Sequence, residues 1–260
     1  MVGPHSARAP EHCRQDEAAY RFDWGAEGLE VLADQCTVIV IVDVLRFSTS
    51  VCCALESGAV VLPYRWNDDG APGYAVANHA VLAGRREEGA LSLSPTDLLT
   101  APAGTRLVLP SPNGSTLAFI ARELGVHHVL AGCIRNATAT AQVARALSGG
   151  GAIGVIAAGE RWYHEGAPLR PAVEDLLGAG AILAALDPSA AVSEPCCSPE
   201  AAAARAAFVG ARPLLYDAIS RCASGRELIA RGWEDDVATA AAHDVSNVAC
   251  RLVANEFRAV

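Results

Sequence analysis

Residues 37–57 read TVIVIVDVLRFSTSVCCALES. The opening TVIVIV is a nearly unbroken β-branched run. A strand with one wet face would alternate apolar and polar residues. This run does not, so it predicts a parallel strand buried on both faces. Asp43 breaks the apolar run. STSVCCALES then predicts a helix, with Ser48 as its N-cap and Gly58 where a left-handed stop is wanted. Strand, polar junction and helix in that order are the repeating unit of an α/β fold.

The same texture extends downstream. AVVLPY (59–64), RLVLP (106–110), HHVLAG (127–132) and AIGVIAAG (152–159) predict strands. TLAFIAREL (116–124), NATATAQVARAL (136–147) and AVEDLLGAGAILAAL (172–186) predict helices, the first two stopped by glycine. DDGAPGYAVANHAVLAGRREEG (68–89) predicts a helix after a Gly/Pro opening, and ERWYHEGAPLRP (160–171) a long polar loop. Residues 198–210, 213–223 and 227–232 predict consecutive helices, and 246–253 a closing strand. The expected fold is a layered α/β/α unit with a mostly parallel or mixed sheet, spanning 23–260, with a mainly helical segment at 198–245. Residues 1–22 are polar and aperiodic and predict a loose arm.

Composition narrows the function. The chain has 260 residues, a net charge of -9, 52% hydrophobic and 19% charged residues. Its 20 basic residues are all Arg. This excludes intrinsic disorder and argues against a nucleic-acid partner. No apolar run is long enough for a membrane span, and the first residues lack the apolar core of a secretory signal. The nine Cys are scattered without a C-x-x-C pair, which fits neither a disulfide framework nor a zinc site. A reduced, cytoplasmic protein is expected.

In open parallel sheets ligands bind beyond the carboxyl ends of the strands. Those positions hold Asp43 to Thr49, Ser111 to Thr116, Cys133 to Asn136, and Glu160-Arg161. Several of these junctions also begin helices, whose free N–H groups suit an anion such as phosphate. Arg46, Arg135 and Arg161 offer bidentate contacts to an oxyanion. Asp43, Glu160, Glu174 and Asp175 are hard oxygen donors of the kind Mg²⁺ prefers. Each feature also has a purely structural reading. An Asp after a strand caps a turn, Asn-Gly is ordinary turn chemistry, and Glu174-Asp175 favours a helix start whatever the function.

Six ordered segments carry a resemblance: IVIVDVLRFSTSVCCALESGA, LVLPSPNGSTLAFIA, VLAGCIRNATATA, VIAAGERW, EDLLGAGAIL and SGRELIARGWEDDVATAAAHDVSNV. Together they resemble the 2-phosphosulfolactate phosphatase (ComB) family from about Trp24 to near the C-terminus. The resemblance implies an α/β phosphatase, described as having two related lobes. It implies Mg²⁺ as cofactor and conversion of (2R)-2-phospho-3-sulfolactate to 3-sulfolactate, a step towards coenzyme M. Asp43 and Arg46 match the D-V-L-R block, Asn113 and Gly114 the N-G block, and Asn136 the Asn after the next strand. Glu160 matches the G-E block, Glu174-Asp175 the E-D block, and Asp235-Asp236 a paired acidic site.

The expected roles follow from these matches. Asp43, Arg46 and Glu160 are catalytic. Asp43, Glu160, Glu174 and Asp175 hold the metal. Ser48, Thr49, Asn113, Gly114, Ser115, Arg135, Asn136 and Arg161 bind substrate or phosphate. The partner is a small phosphorylated organic acid, with no nucleic acid and no membrane, and a homodimer is a possible assembly. The sequence departs from the family pattern at SPNGS and at Ala249, and RFDWGAEGLEVLA is typical of one branch. The alternatives are a phosphatase of this fold acting on another small phosphoester, and a non-catalytic anion-binding module.

Overall fold

The computed structural model describes residues 10–65, 68–84, 86, 91–162, 166–188 and 196–260. In chain order the elements are β1 (Tyr20–Trp24), α1 (Gly25–Ala33), β2 (Cys36–Val42), α2 (Phe47–Glu56), β3 (Val60–Tyr64), α3 (Ala71–Ala77), β4 (Val81–Leu82), α4 (Pro95–Leu98), β5 (Arg106–Pro110), α5 (Gly114–Glu123), β6 (His128–Gly132), α6 (Ala137–Ser148) and β7 (Ala152–Ala157). Then come β8 (Glu160–Arg161), β9 (Leu169–Arg170), α7 (Val173–Leu186), α8 (Pro199–Ala211), α9 (Leu215–Arg221), α10 (Ala223–Ala230), α11 (Glu234–Ala241), β10 (Cys250–Val253) and β11 (Glu256–Ala259).

The main sheet has nine strands in the order β1-β7-β2-β6-β10-β11-β3-β5-β4. Strands β1, β7, β2 and β6 are mutually parallel, and so are β3, β5 and β4. The antiparallel hairpin β10–β11 joins the two groups, so they run in opposite directions. Strand β2 lies inside the first group, paired on both edges, and Val38 through Val42 are wholly buried. That is why TVIVIV lacks alternation: helices cover both faces. One face packs Val38, Val40 and Val42 against α6 and α7, and the other packs Ile39 and Ile41 against α1 and α2. Each such side chain contributes roughly 1.5–3 kcal/mol on burial. Helix α5 touches both β2 and β3, strands from opposite groups. The start of α5, just past the carboxyl end of β5, reaches Asp43 at the carboxyl end of β2.

Four readings of the sequence need adjustment. The boundary drawn at residue 22 falls inside β1, which pairs in register with β7. Arg21 is buried there and donates to the carbonyls of Arg14 and Ala18. Residues 1–9 lie outside the described residues. Of the helix expected over 68–89, the described residues form only α3, because the chain leaves helical geometry at Asn78 and His79 and forms the short strand β4; residues 85 and 87–89 lie outside the described residues. Helix α2 begins at Phe47 with Arg46 as its N-cap, so Ser48 sits inside the first turn. Finally, the loop after β7 contains a small antiparallel pair, β8–β9, while His164 lies outside the described residues. Helices α8 to α11 follow one another from Pro199 to Ala241.

Candidate active site

Asp43 occupies the junction where β2 meets α2 and is 4% exposed. Its Oδ1 accepts the N–H of Phe47, the first residue of α2, at 3.1 Å. Its Oδ2 accepts the N–H of Gly114, the first residue of α5, at 2.9 Å. One carboxylate therefore caps two helices that start in distant parts of the sequence. This approach demands glycine at position 114. A Cβ there would collide with the Phe47 ring and lie 2.9 Å from Asp43 Oδ2. The Leu45–Arg46 peptide in the same junction is cis.

Two helix N-termini favour a negative charge, yet burial opposes it more strongly. The Asp43 carboxyl is pushed up to about 6, first by desolvation and further by Glu160 and Glu174, despite the two N–H bonds. Asp175 is raised well above the usual carboxylate range by burial, then by Asp43 and Glu174. The acids that act on Asp43 and Asp175 come from the start of β8, Glu160, and the first turn of α7, Glu174, with Asp43 itself just past the end of β2.

They do different work. Asp175, in the first turn of α7, accepts the N–H of Val44 at 2.7 Å and that of Gly159 at 2.9 Å. It ties the loop after β2 to the loop after β7, where Gly159 turns with φ +65. Glu174 is 3% exposed, and among the described residues its Oε2 accepts no N–H or O–H, although the Cys222 thiol lies within hydrogen-bond reach of its carboxylate. A buried carboxylate oxygen left without an N–H or O–H donor is costly. Glu160 is half-buried and accepts from Asn113 Nδ2 at 3.2 Å and from the Arg161 N–H at 2.8 Å.

The hydroxyls near these junctions turn back onto the backbone. Ser48 Oγ donates to the Ile41 carbonyl and accepts the Asp43 N–H. Thr49 donates to the Val44 carbonyl, and Ser115 to the Leu109 carbonyl. These bonds fix the strand-to-helix corners that aim the free N–H groups. Asn136 likewise clamps its loop, accepting the Cys133 N–H and donating to the Val248 carbonyl. Arg135 pairs with Glu56 at 2.9 Å and donates to the Thr239 carbonyl. Arg161 is exposed and lines a cavity of about 230 Å³ with Asn113, Glu160 and Glu27. A further concavity of about 290 Å³ lies at the amino ends of β2 and β6, lined by Cys36, Thr37 and His127, remote from the carboxylates.

Sequence reading left one feature without a role. Asp236 in α11 is fully buried and binds Arg46 Nη1 at 2.9 Å, Ser94 Oγ at 2.5 Å and Thr96 Oγ1 at 3.0 Å. The available signal was Ser94-Pro95-Thr96-Asp97, an N-cap followed by proline and a first-turn acid. The segment starts α4 there, with Ser94 accepting the Asp97 N–H.

The raised acids carry a prediction. A carboxyl whose folded value exceeds its unfolded one takes up protons on folding. Its contribution to stability is greatest at low pH and declines as pH rises from the unfolded value of 3.8 through the folded one of about 6. For Asp43 this amounts to roughly 2–3 kcal/mol. Urea midpoints in EDTA should therefore favour wild type over Asp43→Asn less at pH 7.5 than at pH 5. A difference that does not change with pH contradicts the assignment.

The sheet is mixed α/β, and a buried carboxylate sits at the N-termini of two helices beside a second buried acid. A family model for 2-phosphosulpholactate phosphatase matches residues 28–255. The chain belongs to that family, and it is a phosphoric monoester hydrolase that acts on a small phosphorylated substrate. A comparison with curated proteins finds no match. No helix among the described residues is long and apolar enough to cross a membrane.

Proposed function

We propose that this protein is a Mg²⁺-dependent phosphatase that hydrolyses (2R)-2-phospho-3-sulfolactate to 3-sulfolactate and phosphate, in the cytoplasm and on the route to coenzyme M. The observation that carries the reading is Asp43, held by the N–H groups of Phe47 and Gly114, acting together with the buried Glu174, whose Oε2 accepts no N–H or O–H among the described residues.

The residues present fit a magnesium ion. Among the described residues no three His, Cys, Asp or Glu groups form a ready-made cage. Mg²⁺ does not need one: it commonly uses one or two carboxylates, with water and substrate phosphate completing its shell. Glu174, whose Oε2 accepts no N–H or O–H among the described residues, would be the principal donor, with Asp43 sharing its remaining lone pairs and Glu160 at the open side. Asp175, already engaged by two N–H groups, supports them from behind. The ion supplies neutralisation of phosphate charge and a more acidic water.

The chain's own residues supply the rest. The starts of α2 and α5 direct N–H dipoles towards an anion, and stabilising charge on the transferring group is the main requirement of phosphoryl transfer. Asn113 orients Glu160 through its amide. The cavity beside Glu160 takes the organic part of the substrate, and Arg161 meets an acid group there.

One observation favours a different ester as substrate. Glu27 shares that cavity with Arg161, and it comes from the segment that departs towards one branch of the family. An acidic wall suits a substrate with fewer negative charges than phosphosulfolactate. Phosphate release should be compared across 2-phospho-3-sulfolactate, 2-phospholactate and neutral phosphoesters. At least tenfold higher kcat/KM for the sulfonate supports the named substrate. Preference for a less charged ester transfers the same chemistry to another pathway.

A further inference from the structure

Asp236 lies outside the carboxylate group around Asp43 and is fully buried in the first turn of α11. Its two oxygens are divided by function. Oδ1 accepts the hydroxyls of Ser94 and Thr96, at 2.5 Å and 3.0 Å. Oδ2 accepts Arg46 Nη1 at 2.9 Å and lies 3.3 Å from Arg86 Nη1. The hydroxyls fix the rotation of the carboxylate, and the carboxylate then fixes the guanidinium. Trp233 holds the same guanidinium from its face, with Arg46 Cζ 4.7 Å from the ring centroid. Such stacking adds to the ion pair and fixes the plane of the fork.

Arg46 is the N-cap of α2, three residues after Asp43. Among the described residues its Nε and Nη2 donate no hydrogen bond, and its side chain is 16% exposed. It is therefore gripped at one nitrogen and one face while keeping donors free, beside a helix N-terminus. A surface ion pair would leave such a side chain mobile. A pair with a wholly buried Asp, itself held by two hydroxyls, does not.

We infer that Asp236 is a positioning residue, which holds the Arg46 guanidinium so that its free donors grip the phosphoryl group of the substrate. Asp236 does not touch substrate and acts only through Arg46. The inference deepens the phosphatase reading and rests on it for the identity of the bound group.

The test uses wild type, Arg46→Ala, Asp236→Asn and the double variant, all with Mg²⁺. Arg46→Ala should lose about 10²–10³ in kcat/KM, the scale of one lost charge-stabilising donor. Asp236→Asn should lose about 10–100-fold, the usual range for a residue that orients a functional group. Millimolar guanidinium chloride should restore Arg46→Ala at least tenfold, because Asp236 and Trp233 still shape a guanidinium seat. It should not restore the double variant. Equal restoration of both, or an Asp236→Asn enzyme within twofold of wild type, overturns the inference.

If Asp236→Asn does not fold, Thr96→Val in the Arg46→Ala background replaces it. The concentration of guanidinium giving half-restoration should then rise several-fold, and an unchanged value counts against the inference. Inorganic phosphate binding, followed by calorimetry, separates the two claims. Phosphate affinity about tenfold weaker in Asp236→Asn, in a protein that hydrolyses no phosphoester, sustains the positioning role and defeats the phosphatase reading. Turnover in wild type with unaltered phosphate affinity in the variant does the reverse.

Discussion

Asp43→Asn should abolish turnover and leave the fold standing. The substitution keeps the size of the side chain but replaces one acceptor oxygen with an NH₂ group. That group faces the N–H of Phe47 or Gly114, so one of two helix starts loses its acceptor. The unpaired N–H costs about 1–3 kcal/mol. The wild-type carboxylate is itself held uphill by burial, and removing its charge offsets that cost. The melting temperature should therefore move by only a few degrees. Activity has no such offset if, as proposed, the carboxylate serves the reaction, because Asn cannot replace it as metal ligand, nucleophile or proton carrier. A fall in kcat/KM on the order of 10³ or more is expected. Steady-state phosphate release with a thermal melt on the same preparation checks both halves. Near-normal activity would remove Asp43 from the mechanism.

Asp175→Ala should fail in the opposite pattern, losing stability and activity together. The N–H groups of Val44 and Gly159 both end on Asp175, and both are buried. Alanine leaves the two without acceptors and opens the joint between the loops after β2 and β7. The expected loss is about 2–4 kcal/mol, after allowing for relief of a buried charge. Asp43 and Glu160 stand on those two loops, so their separation is no longer fixed. Chemical denaturation gives the stability term. Asp175→Asn retains one acceptor and should lie between wild type and alanine. An Asp175→Ala protein as stable as wild type would mean that these bonds do not join the loops.

The parts of this fold that were legible in sequence share a physical cause. Strand β2 is buried on both faces, so its composition reports its environment directly. Helices α5 and α6 end at glycines, which the chain needs for a left-handed turn. Strand β1 was not legible, because it lies at the sheet edge and its residues YRFDW mix charges with aromatics. Helix α1 follows it without a side-chain cap, starting at Gly25 with φ +63. The opposed directions of the two parallel groups depend on the β10–β11 hairpin at the far end of the chain, and no local pattern encodes that.

The site divides in the same way. Asp43, Glu160, Glu174 and Asp175 were recognisable because acids at strand ends and helix starts are conspicuous. Their division of labour was not, since it depends on which N–H groups a fold brings within reach. Asp175 meets Val44 from 131 positions away. Ser48, Thr49 and Ser115 are expected at the phosphate, and their hydroxyls reach backbone carbonyls, those of Ile41 and Leu109 in strands and that of Val44 in the junction after β2. Asp236 finds its partners at Arg46, Ser94 and Thr96 only after α11 docks beside α2 and α4.

The most direct test is phosphate release from 2-phospho-3-sulfolactate by the purified protein, with Mg²⁺ and with EDTA. The account predicts rapid release that stops in EDTA and returns when Mg²⁺ is restored. No release from this or any other small phosphoester with Mg²⁺ present would contradict it.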